Sequence, residues 1–222
     1  GLAIASGWAL VGLIRMARQK YDDAENLDKN LESIEKTIEY MAALVSDISE
    51  ASRLERDVLD QVKEPFSLEE VMDNIHTLIL GRATEAGLTF EVSHKDDFAP
   101  KYIGNKTSIQ QILVNFLNNS LKYTPKGGAL SLKAFEDENV KVKDNEVSLF
   151  FVVSDTGNGI KKDFIPKLFD PFTREQVGDA NEASSMGLGL SIAQKLIQSM
   201  KGDIQVESKV GQGSTFTIHL TV

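Results

Sequence analysis

Seven apolar residues, Leu27, Leu31, Ile34, Ile38, Met41, Val45 and Ile48, recur in alternating steps of four and three. This a/d seam specifies a long helix that must bury one stripe against a partner helix. The partner is close in sequence. Residues 1–14 carry no charge, Arg15, Arg18 and Lys20 follow, and a polar turn around Asp22–Asn26 joins the two segments. The uncharged run is too short to span a bilayer alone, because about 20 apolar residues are needed. Two helices give a thin core, so the expected form is a dimeric four-helix bundle built from two hairpins.

Pro65 closes this region. The pattern then changes. S-L-E-E at 67–70 is a capping-box signature ahead of a helix over Leu68–Ala86, ended by Gly87. Strands are predicted at 88–93, 129–136, 147–154, 203–208 and 214–221. A second helix starts at Thr107 or Ser108 and runs to Tyr123. A short helix falls near 163–168, an irregular polar stretch at 173–185, and a last helix at 187–200. The fold class is therefore α+β, with two units. Residues 1–62 form the helical hairpin, and 66–222 form a two-layer α/β sandwich with helices on one face of a mixed sheet.

Four places carry residues that the core does not need. The helix at 107–123 contains Asn115, Asn118 and Asn119, although asparagine is a mediocre helix former and costly to bury unpaired. Asn115 and Asn119 share a face, with Lys122 and Tyr123 on the next turn. Amide oxygens suit Mg²⁺, and a lysine one turn away reaches phosphate. Polar decoration of a half-exposed helix is the plainer alternative. Next, Asp155-Thr156-Gly157-Asn158-Gly159-Ile160 follows a strand. Its carboxylate can accept from an exocyclic amine, and its glycines admit a flat ligand; an ordinary turn has the same composition. Third, Gly187-Leu188-Gly189 opens a helix, where free N–H groups favour an anion. Fourth, Gly211-Gln212-Gly213-Ser214-Thr215 turns into the last strand and can bring the Thr215 hydroxyl near a ligand.

The order of these segments, with L-F-D-P-F at 168–172 between the second and third, resembles the catalytic ATP-binding domain of sensor histidine kinases, a Bergerat-type (GHKL) fold. The likeness covers about 66–222. The seam helix, ending in S-R-L-E-R at 52–56, is similar to the second helix of the kinase dimerisation and phosphotransfer hairpin. The resemblance implies ATP and Mg²⁺ as cofactors. It implies that Asp155 binds the adenine amine, with Gly157, Gly159, Ile160 and Thr215 around it. Asn119, and with it Asn115, would reach Mg²⁺ and phosphate, Lys122 would contact phosphate, and Tyr123 would lie near the nucleotide. Phe169 and Phe172 would anchor a lid over 173–186, and Gly187, Leu188 and Gly189 would cradle phosphate. It also implies a homodimer, a response regulator receiver domain as partner, and a cytoplasmic location, with any membrane anchor in parts outside this chain.

Two positions depart from the family. Ser185 stands where its glycine-rich box begins with glycine. The phosphoacceptor histidine, expected at or just before Gly1, is not found, and His76, His94 and His219 are read as structural. Either that histidine precedes this chain, or the chain is a degenerate regulator that binds ATP without phosphorylating itself. Related ATP hydrolases resemble E-x-x-x-N on the asparagine helix. Here that glutamate position is Asn115, an amide that cannot serve as a general base. Composition closes other routes. Lys and Arg number 24 against 33 Asp and Glu, a net charge of −9 without a basic patch, which argues against nucleic acid. There is no cysteine, which excludes thiolate chemistry and disulfides.

Overall fold

The computed structural model describes residues 63–94, 98–137, 146–173 and 187–222. The helical hairpin expected over 1–62, residues 95–97 and 138–145, and residues 174–186 with Ser185 lie outside those residues. The described elements run β1 (Glu64–Phe66), α1 (Leu68–Glu85), β2 (Thr89–His94), β3 (Tyr102–Gly104), α2 (Lys106–Tyr123), β4 (Ala129–Glu136) and β5 (Ser148–Asp155). A single 3-10 turn follows at Ile165–Lys167, then α3 (Gly189–Ser199), β6 (Asp203–Lys209) and β7 (Gly213–Thr221). Among the described residues no helix is long and apolar enough to cross a membrane.

Five strands form one mixed sheet in the order β2-β4-β5-β7-β6. β2 and β4 are parallel, and the other neighbours are antiparallel. The strand pleat sorts side chains by face. Leu132, Ala134, Leu149, Phe151, Val153, Ile218 and Leu220 are buried under the helices. Phe116 on α2 and Phe216 on β7 are also buried, their rings 5.0 Å apart between the two layers. The two-layer sandwich expected from the sequence is what forms.

Several boundaries differ from expectation, each for a local reason. α2 begins at Lys106, one or two residues earlier than expected, because Asn105 is its cap and accepts from Ser108 N at 2.9 Å. Ser67 does cap α1, accepting from Glu70 N at 3.3 Å. The predicted helix at 163–168 is only the 3-10 turn. β1 and β3 were too short to carry a periodic signal. They pair as an antiparallel ribbon, with Phe66 against Tyr102.

Tyr102 ties this ribbon to the sheet. Its hydroxyl accepts from Ala99 N at 2.9 Å and donates to Glu136. Burial, helped by the Glu136 carboxylate, pushes the phenol above its ordinary range. Tyr102→Phe deletes both bonds and is expected to cost about 1–2 kcal/mol. Urea unfolding followed by circular dichroism checks this; an unshifted midpoint would mean the ribbon contributes nothing to the domain.

Candidate functional site

The apolar inner face of the sheet gives way at one end. In register across the strands, successive inner rows read Ala134, Phe151, Ile218, Ile204 and then Leu132, Val153, Phe216, Val206. The next row is Leu130, Asp155, Ser214, Ser208. A carboxylate and two hydroxyls thus stand where the pleat calls for core residues. Polar groups at inner positions need partners, and these have them.

Asp155 is held from three sides. Its Oδ1 accepts from Gly157 N at 2.8 Å, and its Oδ2 from Ser120 Oγ at 3.3 Å. The Ser214 backbone N–H also donates to it. Burial raises the carboxyl above its ordinary value of 3.8, and these three donors work against that rise. The result is an oriented acceptor at the floor of the sheet end.

The glycines beside it answer first to the protein. A Cβ on Gly157 would sit 2.6 Å from the Tyr123 carbonyl oxygen and 2.8 Å from Asp155 Oδ1. One on Gly159 would collide with the Lys209 carbonyl. The Asp155 loop is laced to its neighbours by backbone bonds, Asn158 N to Tyr123 O at 3.0 Å and Gly211 N to Asn158 O at 2.8 Å. So the D-x-G-x-G loop, the end of α2 and the β6–β7 turn form one joint.

α2 supplies the other wall. Asn115, Asn119 and Lys122 lie along one stripe of it. The Asn115 amide packs on the start of α3, with its oxygen 3.3 Å from where a Gly189 Cβ would stand. Lys122 Nζ lies 5.1 Å from the Tyr123 ring centroid. Asn118 is turned away and accepts from Arg82 Nη1 at 2.5 Å, joining α2 to α1. The helix dipole of α3 begins behind Leu188, which is buried, and Gly187, which has a φ of 72°. Gly187 abuts Thr173, since a Cβ there would lie 2.7 Å from the Thr173 oxygen. The chain therefore leaves for 174–186 and returns at adjacent points. Phe169 packs on the core, whereas Phe172 is 62% exposed with a φ of 63°.

Among the described residues, two buried side-chain atoms have no hydrogen-bond partner, Asn115 Nδ2 and Thr124 Oγ1. Each lies on the site. Thr124 Oγ1 and Asp155 Oδ1 flank the same point above Gly157, at 3.0 and 2.8 Å from it. The two orphans are nine residues apart, roughly 13 Å along the helix. Unpaired buried polar atoms are rare and costly. Here both lie along α2 and its C-cap, Asn115 beside the start of α3 and Thr124 beside the Asp155 loop.

Thr215 is not brought to this place. Its hydroxyl lies 3.0 Å from Ser154 Oγ, on the face of the sheet opposite Asp155. Ser214 is the hydroxyl of that turn beside the carboxylate. Ser120, Ser208, Ser214 and Thr124 escaped the sequence reading. For Ser208 and Ser214 the signal was present, because they are in phase with Ile204, Val206, Phe216 and Ile218. The histidines are elsewhere. His219 sits between Asp203 Oδ1 at 2.9 Å and Ser148 Oγ at 3.1 Å, stacked on Phe150. His76 lies by Phe90 and His94 by Phe98.

Known proteins share this fold. Residues 104–222 match the family described as histidine kinase-, DNA gyrase B-, and HSP90-like ATPase. The autoinducer 2 sensor kinase/phosphatase LuxQ of Vibrio parahaemolyticus is 30% identical over 213 residues, 95% of this chain and 24% of the relative. The chain thus spans about a quarter of that relative's length. Full-length ShkA, solved in complex with AMPPNP, superposes with a TM-score of 0.67 at 25% identity, covering 99% of this chain and 44% of that one. Histidine kinase ThkA in complex with the response regulator TrrA gives a TM-score of 0.66 at 19% identity, covering 99% and 58%. This chain belongs to the histidine kinase-, DNA gyrase B- and HSP90-like ATPase family, and carries the ATP-binding domain of a sensor histidine kinase.

Proposed function

We propose that this domain binds Mg-ATP between α2, the Asp155 loop and the start of α3, and passes the γ-phosphoryl to a histidine for relay to a response regulator. The observation that carries this reading is the pair of orphaned buried atoms, Asn115 Nδ2 and Thr124 Oγ1, at the two ends of a helix wall lined by Asn119 and Lys122. The base end is Asp155, an acceptor for the adenine amine. The phosphate end is the amide pair with Lys122 and the N–H groups of Gly187, Leu188 and Gly189. Tyr123, Ile160, Phe169 and Phe172 border the nucleotide. Asn119, assisted by Asn115, holds Mg²⁺, which when bound neutralises phosphate charge.

In the transfer, the bond from the γ-phosphorus to the bridging oxygen breaks, a P–N bond forms to the imidazole, and ADP leaves. Such a transfer needs positioning and charge stabilisation more than covalent chemistry from the protein. Asn115 supplies no general base, so water is not activated from α2. His219 is engaged with Asp203 and Ser148, five residues along β7 from the site. The acceptor is therefore a histidine other than His76, His94 and His219, presented by a kinase hairpin. The seam at 27–48 supports a homodimer, and the ThkA–TrrA complex supports a receiver-domain partner.

Calorimetric titration of the full chain tests this. Mg-ATP is expected to bind, and Asn119→Ala to weaken it about tenfold, about 1.4 kcal/mol. Binding of ATP without Mg²⁺ is expected to weaken less in that variant, because only the phosphate contact of the amide is then lost. Phosphotransfer to an added histidine-bearing hairpin would support the kinase. Steady phosphate release that Asp155→Ala abolishes would replace it with a hydrolase.

A further inference from the structure

β6 alternates Ile204, Val206, Ser208 on its inner face. Ser208 is thus a hydroxyl at a core position, and its hydrogen bonds are all spent within the site's frame. Its Oγ accepts from Ile160 N at 2.8 Å. It lies 2.9 Å from the Gly213 carbonyl, to which it donates. It lies 3.0 Å from Ser214 Oγ. A hydroxyl has one proton, so with that proton on Gly213 O the Ser214 hydroxyl must be the donor to Ser208.

This proton count bears on Asp155. Ser214 is the register partner of Asp155, and its backbone N–H already donates to the carboxylate. If the Ser214 hydroxyl were free to turn, a buried carboxylate would be its strongest available acceptor. It would then occupy a lone pair that an amine-bearing ligand must use. By drawing the Ser214 proton sideways and pinning Ile160, Ser208 keeps the carboxylate open and its loop fixed.

We propose that Ser208 is a positioning residue for base selectivity, holding Asp155 as an open acceptor that favours a purine with an exocyclic amine over one with a carbonyl there. This rests on the nucleotide reading above. An ionised, fixed carboxylate meets the carbonyl of hypoxanthine or guanine lone pair to lone pair; a loosened or masked one discriminates less.

The test is calorimetry of the full chain with Mg-ATP and Mg-ITP, which differ at that base position. The wild type is expected to prefer ATP. Ser208→Ala is expected to cut the ATP-to-ITP affinity ratio about tenfold, mainly through weaker ATP binding. Ser208→Thr, which keeps the hydroxyl, should restore the ratio. Ser208→Cys keeps the volume and should behave like Ser208→Ala, which covers the case in which the alanine variant does not fold. Equal losses for both nucleotides, or an unchanged ratio, would overturn the proposal and leave Ser208 as a structural hydroxyl. If wild-type protein binds neither nucleotide, the nucleotide reading itself falls, an outcome distinct from a wild type that binds ATP with an unaltered ratio in Ser208→Ala.

Discussion

Asp155→Asn is expected to weaken Mg-ATP binding at least about 100-fold at neutral pH, about 2.7 kcal/mol, with the fold intact. Three protein donors already converge on this side chain, from Gly157, Ser120 and Ser214. A carboxylate has acceptor sites for all three and for a ligand amine; an amide has one oxygen, and its NH₂ faces donors. The same group makes binding depend on pH. Burial raises the Asp155 pKa above its ordinary value of 3.8, so the ionised form is disfavoured in the folded protein. The sign for stability follows. Ionised Asp155 costs stability at pH values above its folded pKa, and that cost is relieved as the pH falls through the folded pKa towards the unfolded one. The sign for binding is opposite, since the amine needs the ionised acceptor. ATP affinity should fall on acidification through the folded pKa, which lies above the ordinary carboxyl value. Calorimetry across that window, on wild type and Asp155→Asn, checks both statements. A variant that binds ATP like the wild type would remove Asp155 from the base site.

What the sequence made legible is uneven, for physical reasons. The five sheet strands and three helices showed because each is long enough for its period to appear. β1 and β3, three residues each, owe their existence to pairing with one another. The asparagine stripe was legible because asparagine is expensive mid-helix. The destination of each amide was not. Asn118 goes to Arg82 across 36 residues, whereas Asn115 goes to the start of α3. Thr215 stood out as the familiar polar residue of its turn, yet alternation from Phe216, Ile218 and Leu220 already placed Ser214 inward and Thr215 outward. Ser120 had no such signal. Its role depends on α2 meeting the end of β5, a long-range contact that no local pattern encodes.

Gly213→Ala should be the most damaging change that adds only a methyl group. Gly213 has a φ of 100°, and a Cβ there would collide with the Asp155 carbonyl and lie 2.9 Å from Thr156 Cα. Both atoms are backbone at the end of the β5–β7 ladder, so neither can swing aside. The left-handed conformation costs about 1–2 kcal/mol, and forcing the strands apart adds about 1–3 kcal/mol. A total of about 3 kcal/mol corresponds to a fall in Tm of roughly 10 °C for a domain of this size. Gly211, two residues earlier, separates these causes. Its φ is 76°, but among the described residues beyond its own chain neighbours no atom lies within 4 Å of its Cβ position. Gly211→Ala should therefore cost only the conformational part, about 1 kcal/mol. Thermal melts of both variants, with and without Mg-ATP, read the difference. Because the β5 end carries Asp155, Gly213→Ala should also lose the nucleotide-induced rise in Tm, while Gly211→Ala keeps it. Equal melts for the two variants would show that β7 can leave β5 without cost. The glycine would then be needed for room around a ligand, and the joint that aims Asp155 would be softer than its contacts imply.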